Sequence, residues 1–152
     1  MNINKVFIAS DHAGFELKEE IKAFLKTLNF DAIDLGTNDA VTSVDYPDFA
    51  NLMAKNICQA EEYGILICGT GIGISIAANR HKNLRCALCH DTYTATMARE
   101  HNNANVLCFG ARTTNSEDAK QMVKTFFSTE FAGGRHARRV DKLSCCEAKN
   151  DL

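Results

Sequence analysis

A chain of 152 residues that is 45% hydrophobic is long enough to bury a self-sufficient core, and its length suits a single domain over residues 1–152. Its 17 Lys+Arg against 19 Asp+Glu leave a net charge of −2, which supplies no general attraction to nucleic acid or to an anionic membrane surface. Cysteines at 58, 68, 86, 89, 108, 145 and 146 form an odd set in regular strand–helix patterning, which predicts reduced thiols in a cytoplasmic protein, not a disulfide framework.

Lys5 is followed by a short apolar run and then Asp11, a layout that matches neither a signal peptide nor a transit sequence. Strand-like apolar runs occupy residues 6–9, 32–35, 65–68, 86–89 and 106–109, with helical patterns between them. Leu17, Ile21, Phe24, Leu25 and Leu28 recur at helical spacing after the first run. Phe49, Leu52, Met53 and Ile57 do so after the second, and Ala119, Met122, Val123, Phe126 and Phe127 after the fifth. The uncharged stretch 63–79 is broken by glycines and falls short of the eighteen or so apolar residues of a spanning helix, so no membrane partner is predicted.

This alternation predicts an α/β domain: a three-layer, doubly wound, five-stranded parallel sheet of Rossmann-like type, with ligands bound beyond the strands' carboxyl ends. Residues 34–46 form the longest polar connection, closed by Pro47 at a predicted helix start, and could fold over a site. After Gly133-Gly134, residues 135–149 have helical composition but few apolar positions on any face, which predicts a C-terminal helix packing on a second subunit.

The chemistry is concentrated at strand ends. Ile65, Leu66 and Ile67 deliver Cys68 to the carboxyl edge, and Gly69-Thr70-Gly71-Ile72-Gly73 then opens a helix with a glycine-rich turn. Glycines let backbone N–H groups approach an anion that a Cβ would exclude, so Cys68 is a candidate base or nucleophile. Asp11 and His12 follow the first strand and start from the same edge; Asp11 equally fits a local cap on the helix that begins near Gly14 and Phe15. His101-Asn102 ends the fourth helix and is expected to turn toward this edge, where a histidine can move protons near neutral pH. Taken alone it is also an ordinary helix C-terminus. Arg112 follows the fifth strand and, by itself, fits a surface ion pair as well as a site. Arg135 and Arg139 stand four apart on one helical face, a spacing that suits a phosphate dianion but also a solvated basic face or dimer salt bridges.

Several motifs fail on spacing. The dinucleotide fingerprint needs a third glycine where Ile74 stands, and the turn lies in the third strand–helix unit. A cysteine phosphatase loop needs arginine at the position of Ile74. Cys86-Ala87-Leu88-Cys89 is a C-x-x-C string within a strand, where residues three apart point to opposite faces, so no structural metal is predicted.

Assembled, these residues make the chain resemble the type B ribose-5-phosphate isomerases of the ribose/galactose isomerase family. The carriers are Ser10-Asp11-His12-Ala13-Gly14-Phe15, Asp45-Tyr46-Pro47-Asp48 and the run from Ile67-Cys68-Gly69 to Ala77-Ala78-Asn79. Further carriers are His101-Asn102-Asn103-Ala104-Asn105, Gly110-Ala111-Arg112, and Gly133-Gly134-Arg135-His136 with Arg139; only the tail from about Leu143 departs. The resemblance implies cofactor-free interconversion of ribose 5-phosphate and ribulose 5-phosphate through a cis-enediolate, with Cys68 moving the proton and His101 assisting ring opening. It further implies that Asp11, His12 and Asn102 contact the sugar, Gly69 to Gly73 cradle the oxyanion, and Thr70 steadies an oxygen of the open chain. Tyr46 walls the pocket, and Arg112, Arg135 and Arg139 hold substrate and phosphate. Where some relatives carry a glutamate base after the turn, this chain has Ile74, which leaves Cys68. The family's sites lie at a homodimer interface with the His-Asn element contributed across it, implying a homodimer or a dimer of dimers. Alternatives are an allose-6-phosphate or galactose-6-phosphate isomerase subunit, a non-catalytic sugar-phosphate-sensing module, or a thiol redox protein.

Overall fold

A computed structural model describes residues 1–144; Cys145 and Cys146, and the predicted helix beyond 144, lie outside the described residues. Five strands, β1 (Lys5–Ser10), β2 (Ile33–Asp34), β3 (Glu62–Cys68), β4 (Cys86–Leu88) and β5 (Val106–Gly110), pair in parallel in the order β2-β1-β3-β5-β4. Six helices follow the strands: α1 (Phe15–Thr27), α2 (Tyr46–Asn56), α3 (Ile72–Ala78), α4 (Thr92–Glu100), α5 (Ser116–Ser128) and α6 (Arg135–Ser144). This is the doubly wound class expected from the sequence.

Strand alternation sorts the core into two layers. Ile8, Ile65, Ile67, Leu107 and Phe109 pack with α1, α4 and α5, through Ile21, Leu25, Ala98, Met122 and Phe126 among others. Phe7, Leu66, Cys68, Val106 and Cys108 face α2 and α3, through Ala50, Met53, Ile74 and Ala78. Cys86 and Cys89 fall in different layers, as their spacing in a strand requires. The β2 ladder is only Ile33–Asp34, shorter than the predicted 32–35, although the Leu35 N–H still donates to the Ile8 carbonyl at 2.9 Å.

Strand order reverses direction between β1 and β3, the switch point at which open α/β sheets bind ligands. The two strand ends are closely joined there. The Asp11 N–H donates to the Ile67 carbonyl at 3.2 Å, and a Cβ on Gly14 would come within 2.7 Å of that same oxygen. The turns after β1 and β3 therefore form one surface. Two buried cations brace the layers. Lys18, fully buried on α1, bonds Asp34 at 2.7 Å and the Thr37 carbonyl at 2.5 Å. Arg99 on α4 donates to the Ala104 and Thr129 carbonyls and lies 5.2 Å from the Tyr63 ring centroid.

Truncating a side chain in the central strand should be expensive. Ile65→Ala is expected to lower stability by about 2–5 kcal/mol in urea unfolding, whereas Val41→Ala, at a site 91% exposed, should change it by no more than about 0.5 kcal/mol. Similar losses for both would contradict the placement of the core.

Candidate active site

The turn between β3 and α3 is built around the Gly71 peptide. Gly71 adopts φ +77°, and a Cβ there would meet the Phe109 backbone at 2.8 Å and Leu88 at 2.6 Å, so only glycine suits this position. Its N–H donates to the Cys68 sulfur at 3.2 Å. Its carbonyl accepts from Ser75 N–H at 3.2 Å and from the Cys108 thiol at 3.2 Å. Burial, with the neighbouring Cys86 next, holds the Cys108 thiol well above the ordinary range, so it remains the S–H donor that this bond requires. Burial likewise pushes the Cys89 thiol up to about 12, leaving it inert.

Cys68 is 4% exposed and receives an N–H that a thiolate accepts better than a thiol. The Gly71 amide is thus directed at the sulfur and not at a substrate oxygen, which narrows the expectation that all of Gly69 to Gly73 would cradle an oxyanion. The N–H groups of Thr70, Gly73 and Ile74 have no partner among the described residues, and the Thr70 hydroxyl oxygen accepts from Ile72 N–H at 3.3 Å.

Four more of the expected residues surround this turn. The Arg112 guanidinium lies against Gly69, where a Cβ would come within 2.8 Å of its Nη1, and the Arg112 N–H donates to the Gly69 carbonyl at 2.9 Å. The Tyr46 ring covers Gly73, which a Cβ would bring to 2.6 Å. Asp11 is buried, and one of its carboxylate oxygens accepts from Gly14 N–H at 3.1 Å, closing the turn ahead of α1 without capping a helical N–H, while the second oxygen stays unengaged by the described residues. His12 is half-buried, and its Nδ1 accepts from Val44 N–H at 3.2 Å.

The remaining four do not join them. α4 runs back along the sheet, so His101 and Asn102 end it at the amino edge, beside the starts of β4 and β5. There the Asn105 N–H donates to the Arg85 carbonyl, and Asn102 lines a cavity of about 510 Å³ with Arg85, Cys86, Ala104 and Leu143. The expected turn of His101-Asn102 toward Cys68 is therefore corrected within one protomer: helix direction places them across the length of β5 from it. The five residues of β5 span roughly 15 Å at about 3.3 Å per residue. α6 belongs to the same end. His136 stacks on His101 with ring centroids 4.2 Å apart, and the Ala132 N–H donates to the Glu100 carbonyl at 3.1 Å. Arg135 and Arg139 are exposed on this helix.

Sequence patterning missed some supporting residues. Lys18 stands three before Ile21 and seven before Leu25, so a cation within the apolar stripe of α1 was the available signal. Cys108 and the Val44 amide gave none, because each acts through a contact made only in the folded chain.

A parallel α/β sheet thus holds a thiol and a glycine-rich turn at the β3 end and a separate arginine–histidine group at the opposite edge. Residues 6–143 match the model of the Ribose/Galactose Isomerase family, and the chain belongs to that family. The structure is similar to that of ribose 5-phosphate isomerase B from Anaplasma phagocytophilum, with a TM-score of 0.90 and 50% identity over 94% of this chain and 98% of that one. The sequence is 48% identical to the putative sugar phosphate isomerase of Bacillus subtilis over 96% of this chain and 99% of that protein. Ribose-5-phosphate isomerase B from Mycoplasma genitalium, solved with bound ribulose-5-phosphate, has a TM-score of 0.89 and 44% identity over 95% and 97% of the two chains.

Partial desolvation, then His101, Arg135 and Arg139, hold His136 below its ordinary value of 6.5. A depressed imidazole contributes stability that is present above 6.5 and lost as pH falls through the folded value. NMR titration should therefore give His136 a midpoint below 6.5, and Arg139→Ala should raise it. A midpoint at or above 6.5 in the parent protein would contradict this field.

Proposed function

We propose that this chain is a type B ribose-5-phosphate isomerase, converting D-ribose 5-phosphate and D-ribulose 5-phosphate through a cis-enediolate without a cofactor. The observation that carries the reading is the Cys68 sulfur facing the Gly71 N–H at 3.2 Å, in a chain that matches a relative holding ribulose-5-phosphate.

The steps follow from that sulfur. The Cys68 thiolate takes the proton from C2 of the open-chain aldose; the C–H bond breaks, an S–H bond forms, and the electron pair enters the C1–C2 bond as the carbonyl oxygen gains negative charge. Fixed N–H dipoles facing that oxygen lower the barrier, because they need no reorganisation as charge develops. The N–H groups of Thr70 and Gly73, together with the Arg112 guanidinium, are the donors available at this edge. A proton passes from the oxygen on C2 to that on C1, and the thiol returns its own proton to C1, giving the ketose. Asp11 and His12 orient the sugar hydroxyls, Thr70 steadies an oxygen of the chain, and Tyr46 walls the pocket.

The sugar enters as a ring, and its phosphate needs cations beyond Arg112, the guanidinium already placed against Gly69 at the Cys68 edge. In this reading a second copy of the chain supplies both: the partner's His101 and the partner's Asn102 assist ring opening, while the partner's Arg135 and the partner's Arg139 hold the phosphate. Exposed Ile72, Ile76, Tyr93 and Leu143 provide apolar surface for such a homodimer, or a dimer of dimers. Described cysteines 58, 68, 86, 89 and 108 are all free, which suits the reducing cytoplasm.

Cys68→Ala should slow conversion of ribose 5-phosphate by roughly 10²–10⁴-fold and stop deuterium uptake from heavy water, followed by NMR. A phosphorylated enediolate analogue should still bind it with nearly parental Kd. Parental turnover with normal deuterium uptake would remove Cys68 from the proton transfer.

A further inference from the structure

Lys18 is the largest fully buried side chain that the proposed reaction does not use. It rises from α1 beneath the 34–46 connection and ends between two acceptors, the Asp34 carboxylate at 2.7 Å and the Thr37 carbonyl at 2.5 Å. Asp34 is held from its other oxygen by Lys22 at 2.7 Å, and it accepts from Gly36 N–H at 2.9 Å. Burial alone would push the Asp34 carboxyl up, yet the Lys18 and Lys22 bonds keep it below the usual carboxylate value, so the ammonium faces a charged partner. The connection is in turn zipped to the end of β1. Ser10 N–H donates to the Gly36 carbonyl at 2.8 Å, and Thr37 N–H donates to the Ser10 carbonyl at 2.9 Å.

The far end of the same connection reaches the site. Val44 N–H donates to His12 Nδ1 at 3.2 Å. An acceptor Nδ1 cannot carry a proton, so the neutral ring must carry its hydrogen on Nε2. His12 is thereby presented as a hydrogen-bond donor through Nε2, the polarity needed to recognise a sugar oxygen and not a hydroxyl hydrogen.

We infer that Lys18 is a positioning residue for His12: by pinning the 34–46 connection from below, it sets the Val44 amide that selects the Nε2–H tautomer and aims it at the substrate. An orientation fixed before binding matters because a misplacement of about 1 Å can cost on the order of 100-fold in rate. The inference about catalysis rests on the isomerase reading, whereas the tautomer itself does not.

The test uses the full-length protein labelled with ¹⁵N at histidine, read by long-range proton–nitrogen correlation without substrate, alongside kcat and KM for ribose 5-phosphate. The parent should show His12 as the Nε2–H tautomer. Lys18→Met should give His12 a mixed-tautomer pattern and lower kcat by on the order of 10-fold to 100-fold. Lys18→Gln keeps a donor for the Thr37 oxygen and serves if the methionine variant does not fold; it should show the same change to a smaller degree. Glu62→Gln weakens a different buried carboxylate, which accepts from Cys58 N–H at 2.8 Å, and should lower stability with the His12 signature intact. A folded Lys18 variant that retains the Nε2–H tautomer would overturn the inference, as would Glu62→Gln shifting that signature equally. If the tautomer shifts in a protein that never converts ribose 5-phosphate, the positioning role stands and the isomerase reading falls.

Discussion

A parallel sheet has two ends, and this one separates the residues proposed to act in a single reaction. Strand direction sends Asp11, Cys68 and Arg112 to the carboxyl edge, because Cys68 ends β3 while Asp11 and Arg112 follow the last residues of β1 and β5. Helix direction returns α4 to the other edge, where it sets down His101 and Asn102. The distance between the groups is the length of a strand, and no side-chain rotation closes it. A thiol with Arg112 alone, and the Arg135–Arg139 pair without a thiol, are each chemically incomplete for the proposed reaction. The proposed pairing of two copies follows from that constraint, since a two-fold axis brings the carboxyl edge of one copy to the amino edge of the other, twice over.

At the carboxyl edge the decisive element is one peptide unit. Gly71 offers its N–H to Cys68 and its carbonyl to Cys108 and Ser75, so both ends of the peptide are engaged. Two cysteines on the same face of neighbouring strands thereby take opposite parts. Cys108, wholly buried and held in its protonated form, acts as a donor that props the turn. Cys68, at the mouth, is the acceptor. The difference comes from position along the strand and not from residue type, so the described cysteines carry no common role. The same logic governs the cations: Lys18 and Arg99 are braces because they are enclosed, whereas Arg135 and Arg139 are free to meet a ligand.

Much of this was legible in the chain itself. Apolar runs alternating with helical stripes at Ile21, Leu25, Met122 and Phe126 specify two layers around a parallel sheet, since the two periods belong to different structures. The cluster of Asp11, His12, Cys68, the glycines and Arg112 could be placed at one edge from the simple rule that each follows a strand. Only the same-protomer placement of His101 misled, because adjacency to β5 in sequence does not say which end of β5 is meant; the antiparallel run of α4 against the sheet decides that. The tautomer of His12 was beyond sequence reading, as it depends on an amide 32 residues away. So was the split of duties between Cys68 and Cys108, which rests on burial.

Mixing subunits tests the divided site most directly. Cys68→Ala and Arg139→Ala proteins, each nearly inactive alone, would be unfolded together and refolded as a mixture. Half of randomly re-formed dimers are mixed, and each mixed dimer has one intact site of two, so activity should return to about a quarter of the parental level. Recovery at that level is the result the account predicts. A mixture no more active than its components, with mixed dimers demonstrably formed, would place the thiol and the arginine in the same protomer's site and contradict it.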